Sequence, residues 1–130
     1  MTTIVDASVV VAALVDDGPA GDWSRAVLAR GALAAPHVMP SEVAGVLRRH
    51  VIAGRIHDAI GGLALDETSQ LTVDLLPFVP FTSRIWGLRQ SVTVHDAWYV
   101  AVAETLRAPL ATLDGRLTRA SGPRCEFLTP

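Results

Sequence analysis

The sequence predicts an α/β domain, a three-layer α/β/α sandwich around a short, mostly parallel central sheet. Two features argue for it. Short β-branched or small apolar runs alternate with helical runs along the whole chain, the order that builds parallel strands joined by crossover helices. The strand runs are short and largely apolar, as expected where both faces of a sheet are covered. No linker, repeat or low-complexity tract interrupts the 130 residues, so a single domain spanning 1–130 is expected.

Thr3 to Val5 is β-branched and apolar, a first strand that ends at Asp6. Ala7 to Val15 reads as an almost wholly apolar helix, closed by Asp16-Asp17-Gly18-Pro19. A second helix covers Ala20 to Arg30 and stops at Gly31; Ala32 to Ala35 is a buried strand cut off by Pro36. Pro40-Ser41-Glu42 opens a third helix that runs to Gly54, since Pro suits a first turn and Glu the positive end of the helix dipole. Ile56 to Ser69 is helical, with Gly61-Gly62 weakening its middle; Thr72 to Leu76 is a strand, and Phe81 to Gln90 a helix. His95 to Leu106, rich in Ala, Val and Leu, is the clearest helix, and Pro109 blocks its extension. Leu110 to Leu113 is a strand, Gly115 to Ala120 a short helix, and Cys125 to Leu128 a last strand.

Composition narrows the function. No segment approaches the ~20 apolar residues of a spanning helix, and no basic, apolar leader is visible, so a cytoplasmic protein with no membrane association is expected. Cys125 is the only cysteine, which excludes an internal disulfide. Half of the residues are hydrophobic, which suggests apolar surface covered by a partner. The net charge of −2 argues against holding nucleic acid by bulk electrostatics. All 11 basic residues are Arg, so a phosphate must be met by guanidinium, backbone N–H or metal, and lysine-dependent mechanisms are excluded.

Four acids occupy equivalent kinds of position. Asp6 and Asp114 directly follow strands, while Glu42 and Asp96 lie in the first turns of helices. In a parallel sheet these places fall along one edge, beyond the strand carboxyl ends where ligands bind. Each acid also has an ordinary reading: Asp6 could cap a helix, Glu42 and Asp96 could complement helix dipoles, and Asp114-Gly115 could be a turn. If the four converge, their charges raise one another's pKa and call for a counter-charge. Oxygen-only ligands favour Mg²⁺, with Mn²⁺ as a substitute.

At these residues the chain resembles the PIN-domain family, and in particular the VapC-type toxins of bacterial toxin–antitoxin pairs. The likeness covers essentially the whole length. It rests on Ile4-Val5-Asp6-Ala7-Ser8, on Ser41-Glu42, on the block from His95-Asp96-Ala97-Trp98-Tyr99 to Glu104, and on Thr112-Leu113-Asp114-Gly115-Arg116-Leu117. The first motif alone is weak; the Asp96 block coupled to Thr112-Leu113-Asp114 is specific. The resemblance implies a PIN-like fold and an endoribonuclease in which Asp6, Glu42, Asp96 and Asp114 hold one or two Mg²⁺ or Mn²⁺ ions. It implies hydrolysis of RNA by an activated water, leaving 5′-phosphate and 3′-hydroxyl ends. It also implies a homodimer, inhibited by a cognate antitoxin in a heterotetramer or larger assembly. The apolar helix Ala7–Val15 is consistent with such contacts. Ser8 and Thr112 are candidates to orient a carboxylate, and Arg116 to reach a substrate phosphate; local capping and a solvated surface Arg are the alternatives.

His37, His50, His57 and His95 form no metal-ligand spacing, and only His95 falls near the acids. Trp23, Trp86, Trp98 and Tyr99 could stack on bases, with core packing favoured for Trp98 and Tyr99. Arg48-Arg49, Arg84 and Arg89 could touch RNA, though a solvated helix face is the simpler reading. Rival functions are a phosphoacceptor receiver-like domain or a dehalogenase-like phosphatase, both disfavoured by the missing Lys. A His-based ribonuclease has no His pair to support it. A non-catalytic interaction module would require that the four acids fail to converge.

Overall fold

The structure, a computed structural model, describes residues 1–130. The chain runs β1 (Thr2–Val5), α1 (Ala7–Val15), α2 (Pro19–Leu28), β2 (Ala32–Pro36), α3 (Met39–Ile52), α4 (Asp58–Gln70) and β3 (Asp74–Leu76). After a 3₁₀ turn over Val79–Phe81 follow α5 (Thr82–Gly87), α6 (Val94–Leu106), β4 (Leu110–Ala111), α7 (Gly115–Arg119) and β5 (Phe127–Leu128). The five strands form one sheet in the order β3-β2-β1-β4-β5, and every pairing is parallel. The expected α/β/α architecture is present, with a sheet that is wholly parallel.

The strand order decides where a site can form. The chain steps outward from β1 to β3, then returns to lay β4 on the other side of β1. Because parallel crossovers are right-handed, this reversal sends the later helices to the opposite face. α1 packs against α2, α3 and α4, whereas α6 packs across β1, β2 and β4 and against α5. The crevice between the carboxyl ends of β1 and β4 is the switch point of the sheet. There the register pairs Ile4 with Leu110 and Val5 with Ala111, which brings Asp6 beside Thr112.

Several expected boundaries shift. The region read as one helix over Phe81–Gln90 is α-helical only from Thr82 to Gly87, following a 3₁₀ turn that ends at Phe81. The fourth helix begins at Asp58 because His57 Nδ1 accepts the Ala59 N–H and caps it. β3, β4 and β5 are shorter than their apolar runs. At β4 the reason is visible: the Thr112 hydroxyl turns to Asp6 and to the Asp114 N–H, and the backbone leaves the ladder for α7.

Burial also corrects the reading of the apolar helix. Ala7, Val9, Val10, Val11, Ala12 and Ala13 of α1 are buried, so this helix is hydrophobic because it belongs to the core, leaving little of its surface for a partner. α6 is its counterpart, buried continuously from Ala97 to Ala103. In α3 the buried residues Met39, Val43 and Leu47 recur every fourth position, and Glu42 lies beside that stripe at the amino end. Trp98 and Tyr99 are core residues, and Phe78 meets Trp98 edge to face at 5.3 Å. No helix is long and apolar enough to cross a membrane.

Candidate active site

Asp6 stands at the amino end of α1, but its side chain caps nothing. Its Oδ2 accepts hydrogen bonds from Thr112 Oγ1 at 2.7 Å and Ser8 Oγ at 3.0 Å. Each hydroxyl in turn accepts a backbone N–H, Ser8 from Leu113 and Thr112 from Asp114. Because the amides can only donate and the carboxylate only accept, the single proton of each hydroxyl is directed at Asp6. Oδ1 receives no hydrogen bond from another side chain. Both expected orienting residues therefore act on one carboxylate oxygen, and the capping reading of Asp6 fails. Burial raises the Asp6 pKa above its ordinary value, and the bonds from Thr112 and Ser8 partly oppose that rise.

Asp114 is both a cap and a site acid. Its Oδ1 accepts from the Arg116 and Leu117 amides and starts α7, which leaves Oδ2 unpaired. Asp96 sits in the first turn of α6, whose cap is the Thr93 hydroxyl accepting the Asp96 N–H at 3.2 Å. Burial raises the Asp96 pKa; the Thr93 bond opposes this, and the charges of Asp6, Asp114 and Glu42 add to it. Three acids from three other elements are thus near enough to be felt at Asp96.

Glu42 is held from α6. The Tyr99 hydroxyl donates to Glu42 Oε1 at 2.7 Å, and His95 Nδ1 lies 3.3 Å from Oε2. Tyr99 is the functional residue that sequence reasoning missed. Its setting in an apolar helix pointed to core packing, and its ring is buried, but its hydroxyl emerges at the site. The signal was its spacing: Asp96 and Tyr99 are three apart and share one face of α6. Burial raises the Tyr99 pKa strongly, with the Glu42 and Asp6 carboxylates adding to it, so the phenol remains a donor.

Asp6, Glu42, Asp96 and Asp114 line one open cleft of about 900 Å³, together with Ser8 and His95. No three His, Cys, Asp or Glu side chains are drawn close enough to make a ready-built metal cage. The donor set nonetheless fits a hard divalent cation. All four are carboxylates, Asp6 and Asp114 each keep one oxygen free of side-chain hydrogen bonds, and no Arg side chain pairs with any of them. Arg116 is exposed beside Asp96 and Asp114 on the rim. Arg84 is not a solvated residue as expected: its Nε and Nη2 grip Glu104 at 2.7 and 3.0 Å, and Nη2 also reaches the Gly122 carbonyl at 2.9 Å.

Carboxylates from four elements, gathered at the switch point of a parallel sheet, define a class of α/β proteins with an acidic cleft. The PIN domain model matches residues 3–123. Ribonuclease VapC9 of Mycobacterium tuberculosis is 39% identical over 124 residues, covering 95% of this chain and 94% of that protein. Among solved structures, PAE2754 from Pyrobaculum aerophilum superposes with a TM-score of 0.74 at 22% identity, covering 98% of this chain and 83% of that one. VapBC-5 of Mycobacterium tuberculosis, a member of the VapBC family of toxin–antitoxin systems, gives 0.60 at 22% identity, covering 98% and 96%. The chain belongs to the PIN-domain family and, within it, to the VapC-type ribonucleases.

Proposed function

We propose that this protein is a divalent-metal-dependent endoribonuclease, the toxin of a toxin–antitoxin pair, with Asp6, Glu42, Asp96 and Asp114 as its catalytic acids. The observation that carries the reading is the convergence of these four acids on one cleft. The two hydroxyls that fix Asp6 through one oxygen, leaving the other free of side-chain partners, support it. The four acids would hold Mg²⁺, or Mn²⁺ in its place. The chemistry supplied by such an ion is Lewis-acid activation of water and neutralisation of charge building on the phosphoryl oxygens. Ser8 and Thr112 orient Asp6 and favour its ionised form against the pull of burial. Tyr99 and His95 keep Glu42 in place, and Arg116 meets a substrate phosphate. Kinship with the VapC proteins and the exposed apolar side chains Ile52, Ile60 and Leu63 on α3 and α4 support a cognate antitoxin and a second copy of the chain as partners.

RNA cleavage by the purified chain, with Mg²⁺ or Mn²⁺ and with EDTA, tests this beside Asp6→Asn and Asp96→Asn. The expected result is cleavage that needs metal, is lost in both variants and leaves 5′-phosphate ends. Cleavage that persists in EDTA, or in both variants, refutes it.

A further inference from the structure

Two depressions meet at Asp96 and Asp114, and they differ in charge. The larger is walled by Val11, Val15 and Ile56, and its arginines Arg49 and Arg55 share it with Asp16 and Asp17. On the other side of the same two acids runs a shallower groove of about 500 Å³, in which the only other charged residues are Arg89 and Arg116. Neither guanidinium is paired with a carboxylate. A polyanion lying across the acids meets two arginines and no further carboxylate on this side, whereas on the larger side Asp16 and Asp17 add to the negative charge.

Arg89 is held in place. Its Nη1 donates to the Trp86 carbonyl at 2.9 Å, and its guanidinium carbon lies 5.0 Å from the centre of the Trp86 ring. Trp86 itself is 62% exposed, and its ring face carries the Arg89 guanidinium. An Arg stacked on an aromatic face loses little freedom on binding, since its planar donors are already placed. Arg116 leaves the backbone at the turn whose N–H groups bond Asp114, so the acid and this Arg share one rigid element. Ser91 and Thr93 line the wall between the two arginines and the acids.

We propose that this groove is the track for the RNA strand flanking the cleaved bond. Arg89 and Arg116 each hold a backbone phosphate, and Trp86 is the platform that positions Arg89. The inference rests on the nuclease reading of the four acids and adds to it where the substrate lies.

The test is fluorescence anisotropy of a labelled single-stranded oligouridylate on the full chain carrying Asp96→Asn, in EDTA, over a series of salt concentrations. Each phosphate contact contributes about 0.7 to the slope of log K against log salt for a single strand. Arg89→Gln and Arg116→Gln should each lower the slope by about 0.7, and the double variant by about twice that. Trp86→Ala should lower it as Arg89→Gln does although no charge is lost, and Trp86→Phe should restore it. Circular dichroism and light scattering on each variant verify fold and mass. No binding, or slopes unmoved by both Arg variants, overturns the proposal. So does a slope that falls instead with Arg49→Gln, which would assign the strand to the larger cleft. A change of oligomeric mass in Trp86→Ala also overturns it, assigning this face to a protein interface. Wild-type cleavage in Mg²⁺ beside any of these results leaves the nuclease reading standing, whereas a chain that neither cleaves nor binds RNA removes both.

Discussion

Removing one oxygen atom, by Tyr99→Phe, should separate the packing role of this residue from its role at the site. The ring is buried, so Phe fills the same space and no cavity opens. What is lost is a 2.7 Å hydrogen bond to the Glu42 carboxylate. Bonds to charged groups are worth about 1.5–3 kcal/mol. The Glu42 side chain is 27% exposed and can regain water, which places the loss near the lower figure. At ~2.1 cal/mol/K per residue, 130 residues give an unfolding entropy of ~0.27 kcal/mol/K. A loss of about 1.5 kcal/mol then lowers Tm by roughly 5 °C. Thermal unfolding in EDTA of Tyr99→Phe, Glu42→Ala and the double variant measures the coupling directly, expected at about 1–2 kcal/mol. Mn²⁺ titration followed by electron paramagnetic resonance should show affinity about tenfold weaker in Tyr99→Phe, as for other residues that orient a ligand. Additive Tm losses in the double variant, with unchanged Mn²⁺ affinity, would refute the argument that Tyr99 positions Glu42.

Other substitutions probe the remaining parts. Asp6→Asn should stabilise the metal-free protein at neutral pH by about 0.5–2 kcal/mol while abolishing cleavage, because the ionised carboxylate is held against burial. The sign follows from the raised pKa: the folded protein binds the proton more tightly than the unfolded chain. Wild-type stability therefore falls as pH rises from the ordinary value of 3.8 through the raised one, and Asp6→Asn should flatten that slope in urea titrations. Burial alone would raise the Glu104 pKa, but bonds from Arg84 and the Arg124 amide outweigh it and hold it low. Arg84→Met should then cost about 1–2 kcal/mol at pH 7, with the difference in Tm closing as acid protonates Glu104 below its ordinary 4.5, and with Mn²⁺ affinity unchanged. In Gly21→Ala the added Cβ meets the Asp16 carbonyl where α1 turns into α2. A Tm drop matching about 1–3 kcal/mol is expected, and an unchanged Tm would show that the two helices part freely.

The element order was legible because it rests on local chemistry. Pro19, Pro36, Pro40 and Pro109 mark boundaries whatever the rest of the chain does, and β-branched or apolar runs between them offer one sensible assignment each. Positions of the acids followed, since a residue after a strand or in a first helical turn is defined by its neighbours. The exact ends of α4, α5 and β4 were not legible. His57 caps α4 through a ring nitrogen, and Thr112 leaves its strand for a partner 106 residues away.

By itself, the sequence determined that this is a parallel α/β chain with four acids at strand ends and helix starts, and that Arg must supply every cationic side chain that meets a phosphate. It did not determine which acids are free to act. Only the tertiary structure decided that Asp6 is held by two hydroxyls and Asp114 divides its oxygens between a cap and the cleft. Likewise it alone showed that a core tyrosine grips Glu42 and that Arg84 serves Glu104 while Arg89 and Arg116 stay unpaired. The reason is physical. Secondary structure and composition follow from neighbours along the chain, but a hydrogen bond forms between whichever groups the strand order brings together. That order, with β4 returning to the far side of β1, is set by packing of the whole core.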